Sequence, residues 1–220
     1  MGAGGREFES HRPDHSSSNA NQALKISLDM ILDYEELAFS SEKLLVSYVP
    51  DSSQWIPLLL EKLQKNLSNC KKSHKFNGRW ENLYLDIDTV PEAKIPIKFA
   101  RELALKIWDK NSLALFISND ETKNCLPPFW FNISKKDDST GLHDHSQTAI
   151  LSGVVYLKAA KDSGNLYFKK DNEIEIEPEI GKLVLFPSHL KHGVRANKSN
   201  VERISLAFNL QHFPLINRNL

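Results

Sequence analysis

Glu173-Ile174-Glu175-Ile176-Glu177 alternates acid and isoleucine without a break. Successive side chains of a strand point to opposite faces, so this stretch predicts a half-exposed β-strand. The same texture continues on both sides of it. Ile180-Gly181 marks a turn and residues 182–186 form the next β-type run; on the other side Ser163-Gly164 marks a turn before residues 165–169. Further short runs lie at 129–134, 142–146, 149–157, 193–196 and 202–210. Eight short strands at this spacing suit a double-sheet jelly roll. The predicted class is α+β, mainly β: a double-stranded β-helix, cupin-like, over residues 127–212, with a tail at 213–220.

Residues 23–126 read as a mixed, partly helical part that supports this core. Residues 43–49 form an apolar run that ends at Pro50 and predicts a strand. Asp51-Ser52-Ser53 offers helix caps, and from Trp55 the positions Ile56, Leu58, Leu59, Leu60, Leu63 and Leu67 follow a helical pattern. Residues 71–78 are polar and read as a loop. A second helical pattern runs over 97–108, with Phe99, Leu103, Ile107 and Trp108 near one face. Residues 113–118 leave helix and strand equally open. The helices are expected to pack on the outer face of one sheet.

Residues 1–22 carry Gly2, Gly4, Gly5, the serines 16–18 and no apolar core of a signal peptide. So polar a segment buries too little surface to order itself, and a disordered arm is expected. Glu7-Phe8-Glu9-Ser10 can be encoded by a sequence resembling the T-loop of a transfer-RNA gene, so the native start is expected near Met30 or further downstream.

The 220 residues hold 28 Lys+Arg and 28 Asp+Glu, a net charge of zero. That balance lacks the global basic field of a protein that binds long nucleic acid. No apolar run approaches the length of a membrane span. Two cysteines, Cys70 and Cys125, are too few for a disulfide framework and point to a reducing, cytoplasmic compartment.

The eight histidines are unevenly placed. In a strand, His143 and His145 share one face and can converge on one ion, while Asp144 faces away. His192 comes forty-seven residues after His145, just past the 182–186 run. A jelly roll can bring two such strands together, and three imidazoles suit a first-row transition metal. Eleven residues on, Arg203 and Ser205 again share a strand face. A guanidinium there can grip a carboxylate bidentately, with the hydroxyl adding a hydrogen bond.

The ordered set His143-x-His145, His192, Arg203-x-Ser205 resembles the iron(II)- and 2-oxoglutarate-dependent oxygenases. The stretches 152–157, 185–188 and 203–209 resemble one poorly characterised subgroup of that family, and Asn132 fits it too. The resemblance covers roughly residues 128–210. It implies a non-haem iron(II) dioxygenase with 2-oxoglutarate as cosubstrate, which hydroxylates a substrate of unknown class and forms succinate and CO2. It implies His143, His145 and His192 as metal ligands, Arg203 and Ser205 on the distal carboxylate, and Asn132 and Tyr156 as further contacts to cosubstrate or substrate. Dioxygen and a small-molecule cosubstrate are the implied partners. One departure stands out: His145 fills the position where the family carries an acid. A frame that uses Asp144 instead needs a bulge to turn it inward.

Two other readings remain. One is a cupin-type three-histidine iron dioxygenase without 2-oxoglutarate. The other is a non-catalytic jelly-roll module in which the histidines are ordinary strand residues. The Arg203-x-Ser205 spacing favours the 2-oxoglutarate reading. His189 and His212 are expected not to be ligands, and the four tryptophans are expected to serve packing.

Overall fold

The structure is a computed structural model that describes Met1 and residues 33–76, 78–115 and 126–213. All of the 1–22 arm but Met1, the residues around Met30, Cys125, positions 116–118 of the ambiguous segment and most of the 213–220 tail lie outside the described residues.

The strands are β1 (Tyr34–Phe39), β2 (Glu42–Tyr48), β3 (Lys71–Phe76), β4 (Arg79–Tyr84), β5 (Ser112–Leu113), β6 (Phe129–Ser134), β7 (Thr140–His143), β8 (Leu151–Lys158), β9 (Leu166–Lys169), β10 (Glu173–Ile176), β11 (Lys182–Pro187), β12 (His192–Val194) and β13 (Arg203–His212). The helices are α1 (Ser52–Lys65) and α2 (Lys94–Trp108). The eight strands expected between residues 129 and 210 are β6 to β13. Four of them, in the order β11-β8-β13-β6, form the middle of a large sheet; the other four, β10-β9-β12-β7, form a second sheet. This is the jelly-roll core, and the mainly β class holds.

The upstream part contributes more than helices. β1 and β2 extend the large sheet beyond β11, and β4 and β3 extend it beyond β6. Residues 71–76 are therefore a strand, where a loop is predicted. All but one residue of β3 is exposed, so neither face is buried and no alternation marks it. Residues 112–113 pair with the end of β13.

The antiparallel register sorts the large sheet into two faces. Leu83, Phe131, Leu206, Val155 and Leu183 stand side by side across five strands. Of these, the last four are completely buried, and α2 packs on β8 and β11 with Ile97, Ala100, Leu103 and Ala104 buried. Gly153 has no side chain for a plain reason. A Cβ there would stand 2.3 Å from the Phe208 ring on the neighbouring strand.

The opposite face looks into the roll. Trp130, Ala207, Val154, Val184 and Val46 form one row across it; Asn132, Ser205 and Tyr156 form the next. Toward β2 this face closes on the second sheet: Leu44, Val46, Tyr156, Val184 and Phe186 form one apolar cluster with Leu166, Phe168, Ile176 and Leu190. Burying such side chains is the main stabilising term of the fold. In β10 the alternation works as read. Ile176 is buried, while Glu173 and Glu175 face outward and pair with Arg195.

Candidate metal and cosubstrate site

His143 ends β7 and His192 opens β12, and the two are direct partners in the antiparallel ladder. Their ring centroids lie 4.4 Å apart. His145 reaches the same place by another route than the one predicted. The strand stops at His143, so His145 does not share a strand face with it; it occupies the turn that follows. Its own N–H donates to the Ser188 carbonyl at 2.8 Å, and its carbonyl accepts from Thr148 and Ala149. Ser188 is itself fixed, donating through Oγ to the Ala149 carbonyl at 2.6 Å. The Pro187-Ser188 turn thus anchors His145 from the far sheet. The outcome is the same convergence, with one ring nitrogen from each of His143, His145 and His192 within 4.8 Å of the others.

Backbone carbonyls select the tautomers. His143 Nδ1 lies 2.8 Å from the Gly141 oxygen and His192 Nδ1 lies 2.8 Å from the Leu190 oxygen. A neutral imidazole that donates through Nδ1 keeps its lone pair on Nε2, the usual arrangement of a metal-binding histidine. Burial disfavours the charged form. Together with repulsion from His143, it pushes His192 down to about 3 and His145 down to about 4. The rings are thus held neutral near pH 7. Asp144 is exposed and accepts hydrogen bonds from the Ser146 N–H and Oγ, which hold its carboxyl below the usual range. The irregularity in the β7–β12 ladder lies between Thr140 and His143, and Asp144 stays exposed.

Aromatic residues wall the cluster on two sides. Phe186 and Phe168 lie 4.7 and 6.0 Å from His192 by ring centroids, and Trp130 lies 5.5 Å from His145, edge-on. These three flank the candidate site, and the sequence predicts none of them there. Trp130 read as a packing residue because nothing in a linear sequence shows which face of β6 meets the histidines. His189 points elsewhere, to Glu42 Oε1 at 3.1 Å, and His212 pairs with Ser112 at the far end of β13.

Arg203 and Ser205 lie on the inner face, 2% and 5% exposed. Ser205 stands directly between Asn132 on β6 and Tyr156 on β8, so the structure brings these two residues beside it. Asn132 is largely committed to the fold, donating Nδ2 to the Glu81 carbonyl at 2.7 Å and to Asn82 Oδ1 at 3.3 Å. Tyr156 is buried, and burial raises its phenol to about 12, although the Arg203 charge pulls the other way.

Arg203 is a buried cation with no buried anion against it among the described residues. Desolvation lowers its affinity for the proton. Its neighbour Arg79 opposes it as well, but Arg79 has its own pairs, Glu81 at 3.1 Å and Asp138 at 3.5 Å. Among the described residues no carboxylate forms an ion pair with Arg203. It donates only through Nη1, at 2.8 Å to each of the Ser163 and Gly164 carbonyls. Nε and Nη2, the fork that grips a carboxylate, make no hydrogen bond among the described residues.

Comparison with known proteins points the same way. Residues 168–209 match the family model described as "Putative 2OG-Fe(II) oxygenase". No curated protein matches the chain. Among solved structures, a prolyl hydroxylase from Trichoplax adhaerens, in complex with a hypoxia inducible factor peptide fragment, aligns with TM-score 0.60 and 10% identity over 90% of this chain and 94% of that one. A Pseudomonas putida prolyl-4-hydroxylase aligns with TM-score 0.55 and 18% identity over 79% and 94%. HygX from Streptomyces hygroscopicus, with nickel and 2-oxoglutarate bound, aligns with TM-score 0.52 and 12% identity over 78% and 83%. At these identities the likeness shows a shared fold. The matched segment includes His192, Arg203 and Ser205, so both the family match and the shared fold liken this part of the chain to the 2OG-Fe(II) oxygenases.

Proposed function

We propose that the protein is an iron(II)- and 2-oxoglutarate-dependent dioxygenase that hydroxylates its substrate and releases succinate and CO2. The observation that carries this reading is Arg203: a buried guanidinium with an unused fork, on the inner face of the sheet that closes over three converging imidazoles.

The residues fit iron(II) and 2-oxoglutarate. His143, His145 and His192 offer three imidazole nitrogen donors, a set suited to iron(II) that leaves positions open for other ligands. Such a site carries a charge of +2, where a ligand carboxylate would leave +1. A dianionic keto acid neutralises it, so the histidine at the acid position agrees with 2-oxoglutarate as cosubstrate. When bound, iron and 2-oxoglutarate supply the oxidising chemistry with dioxygen; the protein binds, orients and excludes water.

The chain's own part can be stated residue by residue. Arg203 takes the distal carboxylate through Nε and Nη2, and Ser205 adds a hydrogen bond. Tyr156, neutral up to high pH, completes the wall beside Ser205. Asn132, bonded to the Glu81 carbonyl, holds β6 to β4. Phe168 and Phe186 shield His192 from water, and Trp130 shields His145. No helix among the described residues is long and apolar enough to cross a membrane. Cys70 is a buried free thiol, which fits a reducing, cytoplasmic setting.

Anaerobic addition of iron(II) and then 2-oxoglutarate tests the reading. A weak visible charge-transfer band is expected. Iron binding with no band overturns the 2-oxoglutarate role in favour of a cupin-type three-histidine site, and no iron binding leaves only a non-catalytic jelly-roll module. A succinate-formation screen across substrate classes then identifies the substrate.

A further inference from the structure

Arg203 is aimed by a single loop. The turn between β8 and β9 runs through Asp162, Ser163 and Gly164, with φ of 61° at Asp162 and 96° at Gly164. Ser163 is completely buried and closes the turn, its N–H donating to the Ala160 carbonyl at 3.2 Å and its Oγ accepting from the Ala160 N–H at 3.3 Å. Two neighbours pin the loop from outside: Lys198 N–H donates to the Asp162 carbonyl at 2.8 Å and Arg195 N–H to the Asn165 carbonyl at 2.9 Å. So fixed, the Ser163 and Gly164 carbonyls both point at Arg203 Nη1 and saturate its two N–H groups.

Gly164 cannot carry a side chain here. A Cβ would stand 2.7 Å from Arg203 Nη1 and 2.2 Å from the Arg195 carbonyl oxygen, and the positive φ disfavours any L side chain. The glycine lets the backbone come close enough to hold one nitrogen of the guanidinium. That grip fixes the plane and direction of the other two.

We propose that Gly164 is a positioning residue for the cosubstrate: through its carbonyl and that of Ser163 it aims the Nε/Nη2 fork of Arg203 at the distal carboxylate. The inference rests on the proposed role of Arg203 in binding 2-oxoglutarate. The two carbonyls also supply partial negative charge to a buried cation when no carboxylate is present, so the fork waits in place instead of collapsing onto another partner.

The test is an anaerobic binding titration of the iron(II) protein with two probes, 2-oxoglutarate and 2-oxobutyrate, which lacks the distal carboxylate. Gly164→Ala is expected to raise the dissociation constant of 2-oxoglutarate about ten-fold, with 2-oxobutyrate and iron unchanged. In an Arg203→Ala background the same substitution is expected to have no further effect. Ser163→Ala, which loosens the turn without adding a clash, is expected to give a smaller loss of the same kind and serves if Gly164→Ala fails to fold. Equal weakening of both keto acids, loss of iron, or an unchanged 2-oxoglutarate affinity in both variants overturns the proposal. A wild-type protein that binds the two keto acids alike overturns the parent reading as well, whereas wild-type discrimination that survives Gly164→Ala and Ser163→Ala overturns this inference alone.

Discussion

The inner face of the large sheet has two halves, and they do different work. Toward β2 and β11 it is apolar and closed, with Leu44, Val46, Val184 and Phe186 interlocked with Leu166, Phe168 and Ile176 of the second sheet. Toward β13 and β6 it is polar. Arg203, Ser205 and Asn132 stand on it, and Asn209 accepts a hydrogen bond from Ser152 Oγ at 2.8 Å. The histidines straddle the boundary, His192 against Phe186 and Phe168 on the closed side, His145 against Trp130 on the other. The contrast teaches a division of labour. The closed half supplies stability and an apolar wall whose burial disfavours the charged form of His192. The polar half presents a buried charge and hydrogen-bonding groups, which the proposed function assigns to a small acid.

This division can be broken deliberately. Phe168→Ala removes a completely buried ring from the closed half. It is expected to cost about 3–5 kcal/mol of stability by chemical denaturation. A loss under about 1 kcal/mol would deny that half its structural role. His192→Ala is expected to lower iron(II) affinity by at least about 100-fold in anaerobic titration, since even supporting partners of a ligand are worth 10–100-fold. Retained affinity would remove His192 from the ligand set. Arg203→Ala, in the polar half, is expected to weaken 2-oxoglutarate by roughly 10–100-fold while iron affinity stays unchanged, the range of a hydrogen bond to a charged group. Loss of iron together with 2-oxoglutarate would merge the two halves into one structural unit. Asn132→Ala is expected to cost about 1 kcal/mol by denaturation and to leave 2-oxoglutarate affinity unchanged, because its amide is bonded to β4. A specific loss of cosubstrate affinity would move Asn132 into the site. The smallest effect is expected for Asp144→Ala. The substitution loses only the bonds to Ser146 in an exposed turn, and iron titration should be unchanged.

Much of the core was legible because half-buried strands write their burial into alternation, as residues 173–176 do, and because turns need glycine at positions such as Gly164 and Gly181, both at positive φ. β3 was not legible, because an exposed strand has no face to record. The order of the site residues was legible; their geometry was only partly so. The i, i+2 spacing of His143 and His145 does not by itself place the two rings together, since β7 ends at His143 and the Ser188 carbonyl sets His145.

The sequence by itself determined the strand-rich core, the three histidines in order and the Arg203-x-Ser205 pair, because side-chain chemistry and local period are written residue by residue. Only the tertiary structure decided that β1, β2, β3 and β4 join the same sheet, that Trp130 and Phe186 flank the imidazoles, that Asp144 stays outside, and that two carbonyls from a distant turn hold one nitrogen of Arg203. Those outcomes depend on register between strands far apart in the chain. Register is fixed by the summed packing of both sheet faces and carries no local signature.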